Sequence, residues 1–160
     1  MKCQDHQGQV VEVGGLTVHL GGVLYHPLMD LSIYNLVVPF LEDGHPKLAK
    51  VREAMGSSGV LLHYPIPDYC APPSNWREFL DFMVAQLRGN QKVIAFCAGG
   101  HGRTGTFLAS LIARLEPEIE DPVEEARNRY CEKAVETKEQ AAAVFALKGQ
   151  PLPAKYNDLH

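Results

Sequence analysis

Three short apolar runs, each followed by a stretch suited to a helix, constrain this chain more than any other feature. They are residues 36–38, 60–64 and 93–96. Runs this brief, bounded by Pro, Gly or Asn, read as buried strands. After the first, Glu42-Asp43-Gly44 makes a turn, and Pro46 suits the first turn of a helix to Met55 with Gly56 beyond. After the second comes a loop holding Pro65, Pro67, Pro72 and Pro73. Ser74 then serves as the expected cap of a helix in which Trp76, Phe79, Leu80, Met83, Val84 and Leu87 recur at helical spacing. After the third lies a glycine-rich turn and an apolar helix over 104–115. This alternation implies an α/β domain: a twisted, mostly parallel sheet of four to five strands with helices on both faces. Such sheets bind ligands beyond the carboxyl ends of their strands, so the loop at 65–73 and the turn at 97–103 should open on one edge.

The rest of the chain extends this frame. Residues 10–24 alternate apolar and small or polar side chains around paired glycines, as a strand or hairpin does. Asp121-Pro122-Val123-Glu124 starts one helix, and Thr137-Lys138-Glu139-Gln140 starts another that runs to Lys148. With 160 residues and no linker, one domain is expected over 1–150, with 151–160 a loose tail. The formal net charge of −4 argues against a general affinity for nucleic acid or anionic membranes. No run is long and apolar enough to span a bilayer, and residues 1–6 lack a signal core, so a cytoplasmic monomer is expected. Cysteines stand at 3, 70, 97 and 131 without a Cys-x-x-Cys pair, and the histidines are scattered. Neither a disulfide framework nor a metal motif is spelled out.

The turn after the third strand reads Cys97-Ala98-Gly99-Gly100-His101-Gly102-Arg103-Thr104-Gly105. Its small residues let backbone N–H groups converge on one point, an anion-binding nest. The helix that follows adds its free N–H groups and the positive end of its dipole. A phosphate fits there, with Arg103 gripping two oxygens through its planar fork. The same field favours a thiolate and should depress the pKa of Cys97. A thiolate beneath a cradled phosphate is placed for in-line attack, giving a phosphocysteine. Thr104 is suited to donate a hydrogen bond to the sulfur.

Cys-x5-Arg-Thr after a buried strand resembles the signature of the protein tyrosine and dual-specificity phosphatase superfamily. The resemblance covers roughly residues 30–147 and implies metal-free, cofactor-free hydrolysis of phosphomonoesters. In that superfamily a loop Asp well before the Cys is the general acid, and Asp68, in Tyr64-Pro65-Ile66-Pro67-Asp68, is similarly placed. It would protonate the leaving oxygen and then activate the hydrolytic water. Residues 134–140 resemble the segment whose glutamine positions that water, which implicates Gln140. The superfamily usually has His before the catalytic Cys, whereas this chain has Phe96, which bears on how strongly the thiolate is activated. Phosphoinositide members tend to carry lysines inside the turn, and this turn has none. A compact enzyme acting on phosphotyrosine in proteins or peptides, with or without phosphoserine and phosphothreonine, is therefore implied.

Other readings compete. Residues 100–105 also spell the Gly-x-Gly-x-x-Gly of dinucleotide sites, but no strand ending in an acidic residue follows at the required distance. Asp68 is equally at home as a turn residue, and Gln140 as the partner of Thr137 in a capping box. Cys70 is a candidate redox partner of Cys97, or simply a small loop residue. Arg127 and Arg129 look like solvated helix charges, and His101 like an outward-pointing turn residue. A phosphate-binding module without turnover, a phosphatase of RNA ends or small phosphoesters, and sulfur-transfer or arsenate-reducing chemistry remain as alternatives.

Overall fold

The computed structural model describes residues 6–23 and 30–159. Cys3 and the rest of residues 1–5, Leu24 at the end of the expected hairpin, and His160 lie outside the described residues. Paired glycines join β1 (Gln7–Val13) to β2 (Leu16–Gly22) in an antiparallel hairpin. Strands β3 (Leu36–Pro39), β4 (Val60–Leu61) and β5 (Val93–Cys97) run parallel to β2, in the sheet order β1-β2-β5-β3-β4. The helices are α1 (Lys47–Met55), α2 (Trp76–Arg88), α3 (Gly102–Leu115), α4 (Pro122–Arg129) and α5 (Lys138–Ala146). The architecture is thus the expected α/β domain.

Alternation along β5 builds a core on each face of the sheet. Val93, Ala95 and Cys97 join the large core shared with Trp76, Leu80, Phe107 and Phe145 from α2, α3 and α5. Ile94 and Phe96 point the other way, toward Val51 and Met55 of α1. All five β5 residues are buried, because a central strand covered by helices on both faces exposes nothing. Every parallel strand delivers its carboxyl end to one edge, which is where the loops after β3, β4 and β5 meet.

Four local expectations need correction. The second run forms only a two-residue strand, and Val60 is 62% exposed, because β4 lies at the sheet edge with one neighbour. Ser74 does not cap α2. Asn75 precedes the helix, and its side chain accepts a hydrogen bond from the Tyr64 hydroxyl instead of capping. The expected loose tail is packed: Tyr156 is buried and donates its hydroxyl proton to the Asp121 carboxylate, which Lys155 also engages at 2.6 Å. Asp121 itself caps α4 through the Glu124 N–H, so the last residues brace that helix. Arg127 and Arg129 are not solvated charges. Arg127 donates to the carbonyls of Ala134 and Val135, and Arg129 forms a two-point pair with Glu116 at 2.5 and 2.8 Å.

Candidate active site

Strand β5 ends on Cys97, which is 2% exposed at the floor of the glycine-rich turn. Its Sγ accepts from the Gly100 N–H at 3.2 Å and lies 3.1 Å from the Thr104 hydroxyl oxygen. That hydroxyl is also 3.1 Å from the Gly21 carbonyl. It has one proton, so it donates to the sulfur or to the carbonyl, one at a time. Gly100 holds φ +82°, and a Cβ there would meet His6 and the β2 backbone at 3.0–3.1 Å. Only glycine permits this turn to press against the strand. Tyr130, fully buried, donates to the Gly100 carbonyl at 2.6 Å and holds the turn from beneath. Phe96 packs on the opposite face of the sheet from the thiol, whose hydrogen-bond partners are the turn and Thr104.

Arg103 opens α3 and is 3% exposed. Nη1 shares its two protons among the Ile66 carbonyl at 2.9 Å, the Phe40 carbonyl at 3.3 Å and the Glu42 carboxylate, and Nη2 lies 3.4 Å from Asp68 Oδ1. Its Nε is buried and has no hydrogen-bond partner. A guanidinium clamped by carbonyls and carboxylates on one side, with a buried N–H left over, is oriented to present a planar fork to an anion.

The proline-rich loop after β4 carries Asp68, half-exposed, to this edge. Ile66 is its buried anchor: its N–H binds the Phe40 carbonyl while its own carbonyl takes Arg103. Asp68 accepts from the N–H of Tyr69, which holds φ +65°. The Tyr69 carbonyl accepts from the Thr137 hydroxyl at 2.9 Å, tying the loop to the start of α5. The expected convergence of the two loops is therefore present.

Gln140 completes the capping box and keeps one amide group unused. Its Oε1 accepts from the N–H groups of Glu136 and Thr137, completing the capping box, and its buried Nε2 has no partner. That amide lies 3.1 Å from where a Gly102 Cβ would sit. Cys70 is exposed, and both Cys70 and Cys97 are free thiols.

Three participants escaped the sequence: Tyr130 beneath the turn, and two acids. Glu42, read as a turn residue, also holds Arg103. Glu136 brings its carboxylate against Gly102, where a Cβ would be only 2.4 Å from Oε1. Burial, then the charge of Asp68, raise the Glu136 pKa, against the Gly102 N–H, Arg103 and Lys133. No spacing rule singles out either acid. His101 packs its ring over Gly99 and against Cys131 and His6. Burial, and then His6 and Lys133, push its pKa down to about 4.

Residues 25–116 match the family described as "Polymorphic toxin system, DSP-PTPase phosphatase". An uncharacterized protein of Methanocaldococcus jannaschii, MJ0215, is 45% identical over 85 residues, which is 52% of each chain. The chain thus spans about half the length of the curated relatives it matches. Among solved structures, Tk-PTP in its active form superposes with a TM-score of 0.68 at 24% identity, covering 88% of this chain and 97% of that one. Kinase associated phosphatase gives 0.66 at 15% identity, over 90% and 94%. PTPMT1 in complex with PI(5)P gives 0.62 at 16%, over 82% and 90%. These likenesses share a fold, and the family match extends over more than half of the sequence. The chain belongs to the DSP-PTPase phosphatase family, within the cysteine-dependent protein tyrosine phosphatase superfamily.

Proposed function

We propose that this phosphatase hydrolyses phosphotyrosine in proteins or peptides, with or without phosphoserine and phosphothreonine, through a phosphocysteine intermediate. The observation that carries the reading is the buried, partnerless Nε of Arg103 at the end of a turn whose Gly100 N–H donates to the Cys97 sulfur. The N–H groups of residues 98–103 and Arg103 would bind the equatorial phosphate oxygens. The Cys97 thiolate attacks phosphorus, the P–O ester bond breaks, and Asp68 gives its proton to the leaving oxygen. Water then attacks the phosphocysteine, Asp68 takes its proton back, and the S–P bond breaks to release phosphate and the thiolate. Thr104 would stabilise the departing sulfur, and the Gln140 amide would orient the water. The exchange consumes only substrate and water.

A turn without lysine favours protein phosphoesters over inositol phosphates, since each added ammonium would match an extra phosphate. Turnover of p-nitrophenyl phosphate in the presence of a chelator tests the chemistry. Acid quench should trap phosphate on the wild-type protein and not on Cys97→Ser. Full activity in Cys97→Ser overturns the mechanism. A panel of phosphotyrosyl, phosphoseryl and phosphothreonyl peptides beside inositol phosphates tests the substrate. Faster turnover of the inositol phosphates overturns that assignment while leaving the mechanism standing.

A further inference from the structure

We propose that His6, His101 and Cys131 form a binding site for a zinc-class divalent ion, clamping the back of the phosphate-binding turn. Their ligand atoms all lie within 4.8 Å of one another. They come from the segment before β1, the turn itself and the segment after α4, so no local sequence motif announces them. The lack of a metal motif in the sequence was read from spacing, which cannot register a site assembled from three distant segments.

One edge of the cluster already matches tetrahedral zinc. Cys131 Sγ is 3.5 Å from His101 Nδ1. Zn–N of about 2.05 Å and Zn–S of about 2.3 Å at a tetrahedral angle require an N···S edge of about 3.5 Å. The His6 ring meets the His101 ring edge-on, centroids 5.0 Å apart. Gln9 fixes the His6 tautomer: its Nε2 donates to the Tyr130 carbonyl at 3.1 Å, so its Oε1 accepts from His6 Nδ1 at 3.2 Å. The proton then sits on Nδ1 and the lone pair of Nε2 is the one offered. A partner that orients the far side of an imidazole in this way is the usual support of a metal-bound histidine. The Lys133 N–H points at Cys131 Sγ at 3.4 Å, a contact that favours a thiolate.

Burial and donor type set the class of ion. His6 is 5% exposed and Cys131 is fully buried, with His101 between the buried and exposed classes. Two imidazoles and a thiolate favour zinc and its softer neighbours over magnesium or calcium, which take oxygen ligands. Among the described residues these three side chains supply the ligands, and zinc takes a fourth to complete its tetrahedron. A bound ion would fasten the turn to β1 and to the start of the 131–137 segment, adding to the Tyr130–Gly100 bond.

The test is zinc titration of chelator-stripped protein against a chromophoric indicator, with cobalt(II) absorption and thermal melting as parallel readouts. One equivalent should bind both wild type and Cys97→Ser, which removes the competing thiol at the phosphate site. Cobalt should give tetrahedral bands and a thiolate charge-transfer band. Cys131→Ser should abolish that band, and His6→Ala should weaken zinc binding at least tenfold. Zinc should raise the melting temperature of wild type but not of either variant. Melting of the stripped variants reports separately whether they fold. Failure to bind one equivalent overturns the proposal. So does binding that survives in His6→Ala and Cys131→Ser but vanishes in Cys97→Ser, which assigns the ion to the phosphate site.

Discussion

Two arginines in this molecule sit in nearly opposite states. Arg129 spends its guanidinium on the protein: Glu116 takes Nη1 and Nη2, Glu125 takes Nε at 2.8 Å, and the Glu12 carbonyl takes Nη1 at 3.2 Å. Arg103 is more deeply buried, yet its Nε is left without a partner. A satisfied guanidinium fastens two parts of a fold together. A buried N–H left unsatisfied costs stability unless something arrives to bind it, and such groups mark ligand sites. Both arginines have carboxylates around them, so charge alone does not separate a brace from a binding residue. The count of unused donors does.

The sharpest way to break this comparison is to shorten each fork. Arg103→Lys keeps the charge and loses the planar pair of donors, and should lower kcat/KM for p-nitrophenyl phosphate by about 10²-fold or more. Arg129→Lys should leave kcat/KM within about twofold and lower the melting temperature instead. Equal activity losses would erase the distinction. Next in size, Asp68→Asn should cut kcat about 10²-fold with little change in KM, because it removes proton transfer and leaves phosphate binding intact. A loss confined to KM would make Asp68 a binding residue through its contact with Arg103 rather than the acid.

On the structural side, Glu116 is held below its usual carboxylate range, first by the hydrogen bonds of Arg129 and further by the Gly14 N–H. A depressed folded pKa contributes stability above the unfolded value, lost as pH falls through the folded one. Glu116→Gln should therefore cost about 1–2 kcal/mol at pH 7. Urea denaturation should show this gap closing as the pH drops below 4. A gap that persists in acid would mean the pair contributes by shape rather than charge. The smallest effect belongs to Thr137, whose hydroxyl both caps α5 and holds the Tyr69 carbonyl. Thr137→Val should cost about 1 kcal/mol of stability and lower kcat severalfold by loosening the Asp68 loop. Stability loss without any change in kcat would uncouple the cap from the site.

Much of the site was legible because its geometry is local. Cys97, the small residues after it and Arg103 lie within a single strand-turn-helix unit, and backbone sterics dictate what such a unit presents. Asp68 was reachable by resemblance, since its loop follows a neighbouring parallel strand. Glu42, Glu136 and Tyr130 were not legible. Each reaches the turn from a different element, and a carboxylate in a turn or a tyrosine at a helix end has no pattern of its own. The tail was misjudged for the same reason. Its prolines and polar residues read as loose, yet the burial of Tyr156 against α4 and α5 is a tertiary event. The short β4 shows the limit of apolar runs: beyond Leu61 the contact with β3 thins to the N–H groups of Leu62 and Tyr64, which donate to the Val37 and Pro39 carbonyls.

The sequence by itself determined the α/β alternation, the glycine-rich turn between Cys97 and Arg103 and the order in which its parts occur, since periodicity and turn chemistry operate over a few residues. Only the tertiary structure decided which groups remain unsatisfied. Whether a guanidinium is a brace or a hand held open, and whether His6, His101 and Cys131 stand within 4.8 Å, depends on what other segments bring to the same point. That is settled by packing over the whole chain, where residues far apart in sequence compete for the same donors and the same space.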